Sequence, residues 1–234
     1  DGDSLLDHLD LQPQIENDFP PVLTVPTGIV VPAENSSGAA TNNSLVSAFL
    51  IGSTATDIID GITTNITNNA PTRLSLGVTT IEFSVTDSGG NMVVAESTIT
   101  VADLTSPLIS INAESSLTVA FGSTYTDAGA TALDNVDGDI SGDIQLSGMV
   151  NTQSVGLYNL NYNVNDAAGN AALTITRSVS VQDAGAPVVN VPANITLAAT
   201  DQNGLLKTDS PIVVFLGAAI ASDIVDGQLI PTNN

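Results

Sequence analysis

One six-residue motif occurs three times in this chain: "TDIIDG" at 56–61, "LDNVDG" at 133–138 and "SDIVDG" at 222–227. A recurring motif at long spacing marks a repeat architecture, so the chain is read as copies of one plan. A second motif, "TDSGGN" (86–91) and "NDAAGN" (165–170), follows the first at a similar distance in copies one and two. Copy three has no counterpart to it. Each copy opens at a proline-bearing linker: "FPPVLTVP" (19–26), "TSPLISI" (105–111) and "GAPVVNVP" (185–192). Copies one and three align without a gap, Pro21 on Pro187 through Phe49 on Phe215 to Gly61 on Gly227, an offset of 166 residues.

Within each copy the local pattern is that of β-structure. Tyr158, Leu160, Tyr162 and Val164 alternate with four asparagines, and Ile81, Phe83 and Val85 alternate with Glu82, Ser84 and Thr86. Period two with one apolar face describes a half-buried strand. Arg177 and Ser97 fall on the inward parity of their strands, which predicts a bulge or an edge position there rather than a buried charge. No stretch shows sustained helical periodicity. Several short strands per unit of about eighty to a hundred residues predict an all-β fold of tandem immunoglobulin-like β-sandwiches, arranged as beads in a rod.

The boundaries follow from the linkers: an acidic segment over 1–19, sandwiches over 20–103 and 104–183, and a partial sandwich over 184–234 that lacks its last strands. The motifs "P-V-x-x-V-P-x-x-I", "A-x-D-x-x-D-G" and "F-x-V-x-D-x-x-G-N" make copy one resemble a hyalin repeat (HYR) domain, and copy three resembles it through the first two. Copy two resembles the bacterial Ig-like repeat through "GSTYTDAGATALDNVDGDISGDI" (122–144) and "YNVNDAAGN" (162–170). The N-terminal "DGDSLLDHLD" is similar to the end of a calcium-binding thrombospondin type 3 repeat, with Ser4 where glycine is usual. It begins as a piece cut from a longer protein would.

Charge decides what such a chain can bind. With 25 Asp+Glu against 3 Lys+Arg, the formal net charge is −22, and nucleic acid or anionic lipid would be repelled. Hydrophobic residues make up 42% of the chain and mean hydropathy is +0.26, so the charge does not imply disorder. There is no cysteine, which removes disulfides and thiolate sites and points towards a prokaryotic source. The longest apolar stretch, residues 211–221, is too short to span a bilayer.

In an Ig-like sandwich the loops carrying the two motifs lie at one end, where the chain also enters. Copy two is therefore expected to gather Asp103, Asp134, Asp137, Asp166 and Asn170. Copy one would gather Asp18, Asp57, Asp60, Asp87 and Asn91, and copy three Asp183, Asp223 and Asp226. Converging carboxylates repel unless a cation lies between them, and hard oxygen ligands suit Ca²⁺. The resemblance to the thrombospondin repeat adds Asp1, Asp3 and Asp7, with Asp10, as a calcium loop. Asp, Asn and Gly are also what tight turns select without any metal, so the spacing leaves both readings open.

Catalysis finds little support. His8 is the sole histidine and sits among acids, and a glycosidase-type carboxylate pair would lack sugar-stacking aromatics, at 3% aromatic content with no tryptophan. The expectation is a non-enzymatic, secreted or cell-surface bacterial segment, a calcium-stiffened stalk or filament with a role in adhesion or assembly. Its partners would be other domains of the same long chain, or identical subunits that complete copy three by strand addition. The alternative is an accessory region of a secreted hydrolase whose catalytic domain lies elsewhere.

Overall fold

A computed structural model describes residues 19–199 and 201–232. The chain divides into two compact units. One comprises residues up to Ser110 with 131–145 and 163–174, and the other residues 111–130, 146–162 and 175 onward. The first unit thus contains all described residues of copy one together with the acidic loops of copy two.

Copy one is a β-sandwich. One sheet orders Val22–Thr24, Thr54–Asp57 and Gly61–Thr63, all antiparallel. The facing sheet orders Ile29–Pro32, Met92–Ala102, Gly77–Thr86 and Thr67–Asn68, the first running parallel to Met92–Ala102. The alternation read in the sequence selects the faces: Ile81, Phe83 and Val85 are buried, whereas Glu82 and Thr86 are exposed. Val31, Leu74, Ile99 and Val101 complete the core around them. Gly38 has φ +94°, and a Cβ there would lie 1.9 Å from the Leu74 carbonyl oxygen, so no other residue fits that corner.

A short helix, Ser44–Leu50, closes the sandwich with Val46 and Phe49 buried. Asn43 caps it, its side-chain oxygen accepting from the Leu45 N–H at 3.0 Å. A second helix, Ser210–Gly217, occupies the same place in copy three and contains Val213, Val214, Phe215 and Leu216. Both escaped the sequence reading because about two turns are too few for a helical period to emerge. Among the described residues, copy three otherwise forms one antiparallel sheet, Val188–Asn190, Ile220–Asp223 and Gly227–Leu229.

Copy two repeats the plan of copy one. It has a sheet of Leu108–Ile111, Ala130–Asp134 and Gly138–Asp139, and a sheet of Ser116–Ala120, Ile175–Gln182, Gly156–Asn163 and Gln145–Ser147. Its leading strand Ser116–Ala120 again runs parallel to the last one. At Arg177 the structure corrects the sequence reading. Its strand pairs with Gly156–Asn163 in unbroken register, Leu160 opposite Arg177, and the residue is 1% exposed. A buried guanidinium is tolerated because its donors are answered. Nε donates to the Glu114 carbonyl, one terminal nitrogen to Asp127 and the Tyr162 hydroxyl, and the other to the carbonyls of Asn112 and Gly129. Ser97 is likewise in register, opposite Ile81, and its hydroxyl donates to the Pro26 carbonyl at 2.6 Å.

Candidate metal sites at the repeat ends

The three D-x-x-D-G motifs adopt one conformation. In each, the first aspartate accepts two backbone N–H bonds on a single oxygen. Asp57 takes them from Ile59 and Asp60 (2.7 and 2.9 Å), Asp134 from Val136 and Asp137 (2.7 and 3.0 Å), Asp223 from Val225 and Asp226 (2.7 and 3.1 Å). The closing glycines Gly61, Gly138 and Gly227 have φ +74°, +74° and +75°, which explains the invariant last letter of the motif. The turn reading is therefore correct as far as it goes, and it accounts for one oxygen of each first aspartate.

The second aspartate ties the two motifs together. Asp137 accepts from the Ala167 N–H at 2.7 Å, and Asp60 accepts from the Ser88 N–H and hydroxyl at 2.7 and 2.6 Å. In the second motif, Asp166 accepts from the N–H and side-chain amide of Asn170, both at 2.7 Å. Asp87 does the same with Asn91, at 2.8 and 2.9 Å. Asn170 also donates to the Asp103 carbonyl at 3.3 Å, which attaches the linker to the loop.

At the start of copy two these bonds bring acids together. Asp103, Asp137 and Asp166 each place a carboxylate oxygen within 4.8 Å of the others. Two carboxylate oxygens here are buried and accept no hydrogen bond, Oδ2 of Asp103 and Oδ2 of Asp134, and the side-chain oxygen of Asn135 in the same turn is also buried without a partner. Burial pushes the Asp103 carboxyl above its ordinary range, and the charges of Asp134, Asp166 and Asp137 add to the rise, against one lowering bond from the Thr105 N–H. An orphaned buried carboxylate oxygen is expensive unless a donor or a cation reaches it.

The chemistry of the donor set fits a hard divalent cation, since every candidate ligand is oxygen and the chain has no cysteine and one histidine. At the start of copy three, Asp183, Asp223 and Asp226 also lie within 4.8 Å of one another. In copy one, Asp57, Asp60 and Asp87 form no such group of three among the described residues. Its linker acid Asp18, like Asp1, Asp3, Asp7 and Asp10, lies outside the described residues.

The raised carboxyl of Asp103 carries a pH signature. Its folded-state pKa exceeds the unfolded one, so in metal-free protein its contribution is fully present below the unfolded pKa and is lost as pH rises through the folded value. The contribution of Asp103 to holding this loop cluster in metal-free chain is expected to be larger near the ordinary carboxylate range than at pH 7. Amide exchange rates at Ala167 and Asn170, corrected for intrinsic pH dependence, measure it. Equal protection at both pH values would contradict it.

Two residues that sequence reasoning passed over lie beside the acids. The Asn135 side chain donates to the Ala33 carbonyl of copy one at 3.0 Å, across 102 positions of sequence. Val136 packs against the core of copy one. The signal was present in part: Asn135 stands where the other two motifs have Ile58 and Ile224.

Residues 109–181 match the family model described as a bacterial surface protein, Ig-like domain. No curated protein matches the chain. Among solved structures, similarity extends to the lipoprotein BT2262 of Bacteroides thetaiotaomicron, at 29% identity over 34% of this chain and 39% of that one, with a TM-score of 0.31. It extends also to the M60 catalytic domain with two CBM51 domains of Clostridium perfringens ZmpB, at 12% identity over 75% and 33% with a TM-score of 0.41. A protocadherin GammaB4 extracellular domain matches at 14% over 91% and 38% with a TM-score of 0.33. The chain spans 33–39% of the length of these solved chains.

Proposed function

We propose that this chain is a non-catalytic, extracellular segment of a bacterial surface protein, in which Ca²⁺ bound by the acids at the repeat ends stiffens the joints between Ig-like repeats. The observation that carries the reading is the pair of buried carboxylate oxygens at the start of copy two, Asp103 Oδ2 and Asp134 Oδ2, which no donor reaches. Asp103 of the linker lies within 4.8 Å of Asp137 and Asp166 of the two motifs, so one ion among these three would join the linker to the body of the repeat. Each of the three offers a carboxylate oxygen, the hard ligand type that Ca²⁺ takes in six- to eightfold number, and the charge of Asp134 also acts on Asp103. The family match over 109–181 supports the surface location, and no helix among the described residues is long and apolar enough to cross a membrane. Copies one and three are read as HYR-type repeats and the N-terminal run as part of a thrombospondin type 3 calcium loop.

A site that binds only the folded chain raises its stability by mass action, about 2.7 kcal/mol when free ion is a hundredfold above Kd. The melting midpoint is therefore expected to rise with CaCl₂ well beyond its rise in NaCl of matched ionic strength. Asp137→Asn should reduce the difference. Equal shifts in the two salts would mean that only general screening of the −22 charge is at work.

A further inference from the structure

We propose that the two residues between the aspartates of the copy-two motif, Asn135 and Val136, are a docking element that seats this repeat on the end of copy one, and that seating and cation binding are linked. The linkage rests on the calcium reading above; the docking does not. Three observations combine. First, the contacts of these two residues lead out of their own repeat: Asn135 reaches the Ala33 carbonyl, and Val136 packs against the cluster that contains Val31, Ala33 and Phe83. Second, the same short turn carries the acids. Asp134 Oδ1 accepts from the N–H of Val136 itself and from that of Asp137, so the position of the docking side chain and the position of two carboxylates are set by one conformation.

Third, the corresponding pair in copy one, Ile58 and Ile59, is 82% and 43% exposed among the described residues. Apolar side chains at the apex of an acidic turn are costly in water, and in copy two that position is covered by the neighbouring repeat. Ala33 follows the strand Ile29–Pro32 and donates its own N–H to the Ala102 carbonyl. The acceptor is thus held by the last strand of copy one, one residue before Asp103. Linker, acceptor and acid cluster form a closed circuit. A cation held by Asp103, Asp137 and Asp166 fixes the linker against the turn that carries Asn135, and a seated turn presents its acids already gathered. Such coupling is reciprocal: the factor by which the ion strengthens seating is the factor by which seating strengthens ion binding, so loss of seating costs the ion that coupling factor.

The test uses the full chain with CaCl₂ as the probe. Asn135→Ser combined with Val136→Ala removes the docking groups and leaves every carboxylate. Calcium affinity at this site, identified in calorimetry as the component lost in Asp137→Asn, is expected to fall roughly tenfold, within the usual range of site-to-site coupling. Amide ¹⁵N relaxation should show copy one and the acidic loops of copy two tumbling together in the wild type and separately in the variant. The matching pair Ile58→Ser with Ile59→Ala should leave both readouts for this site unchanged. Unchanged affinity and unchanged joint tumbling in the Asn135/Val136 variant would overturn the proposal. If the wild type binds no calcium at this site, the reading above fails and the linkage with it, while relaxation alone still decides the docking. Should the double variant disturb the fold, Val136→Ala alone introduces no polar group and serves the same comparison.

Discussion

Asp127→Ala is expected to destabilise copy two by about 3 kcal/mol, the lower end of what removal of one partner from a buried ion pair costs. The lower end applies because the Asp127 side chain is 18% exposed while that of Arg177 is 2% exposed. Without Asp127 the guanidinium keeps its three carbonyl partners but loses the one counter-charge it has among the described residues. Tyr162 and Tyr125 lose the acceptor to which both hydroxyls donate, at 2.7 and 3.0 Å. Burial alone would raise the Asp127 carboxyl, but the bonds from Tyr162, Tyr125 and Arg177 outweigh it and hold it below the usual carboxylate range. Burial and the bond to Asp127 push Tyr162 up to about 12.

The signs give a pH window. The lowered Asp127 contributes stability above its unfolded pKa of about 3.9, lost as pH falls through the folded value. The raised Tyr162 contributes below its unfolded pKa of about 10, lost as pH rises towards 12. Two of the three tyrosines sit in this network and there is no tryptophan, so near-ultraviolet absorbance and tyrosine fluorescence follow it in a urea titration. A loss below about 1 kcal/mol, the range of exposed pairs, would show that the network is a surface arrangement.

The Arg177 network shows where sequence reasoning meets its limit. The parity of the strand is written in Ile175, Val179 and Val181, and it places residue 177 inward. Burial of an unpaired charge is so unfavourable that a bulge was the better expectation from the strand alone. The partner that reverses the balance, Asp127, lies 50 positions earlier in a segment with no alternation to place it. The acidic turns divide in the same way. Their conformation is legible because Asp at the first position and Gly at the last are both demanded by local geometry. Which carboxylate oxygen is left over is not local. Asp103 Oδ2 and Asp134 Oδ2 are orphaned by the packing around them, and Asn135 finds its acceptor across 102 positions. The gapless match of copies one and three carried further than any propensity, since it places the helix Ser210–Gly217 on the helix Ser44–Leu50.

That match also yields the second large effect, a contrast between equivalent phenylalanines. Phe49 is 4% exposed and its ring meets Phe83, itself fully buried, at 5.8 Å between centroids and 57° between planes. Phe83→Ala should cost about 3–5 kcal/mol, because Val31, Ile81 and Ile99 around it belong to sheet strands that cannot collapse into the space. Phe215 is the counterpart of Phe49 by the 166-residue offset, but it is only half-buried and has no ring partner among the described residues. Phe215→Ala is therefore expected to cost well under half as much as Phe49→Ala. Several repeats in one chain do not unfold as a single two-state unit, so a global melting curve would blur the comparison. Amide exchange within Gly77–Thr86 reports copy one, and exchange within Ile220–Asp223 reports copy three. Equal losses of protection in the two places would mean that the helix of copy three is packed as tightly as that of copy one, against the exposure of Val213 and Val214 at 52% and 68%.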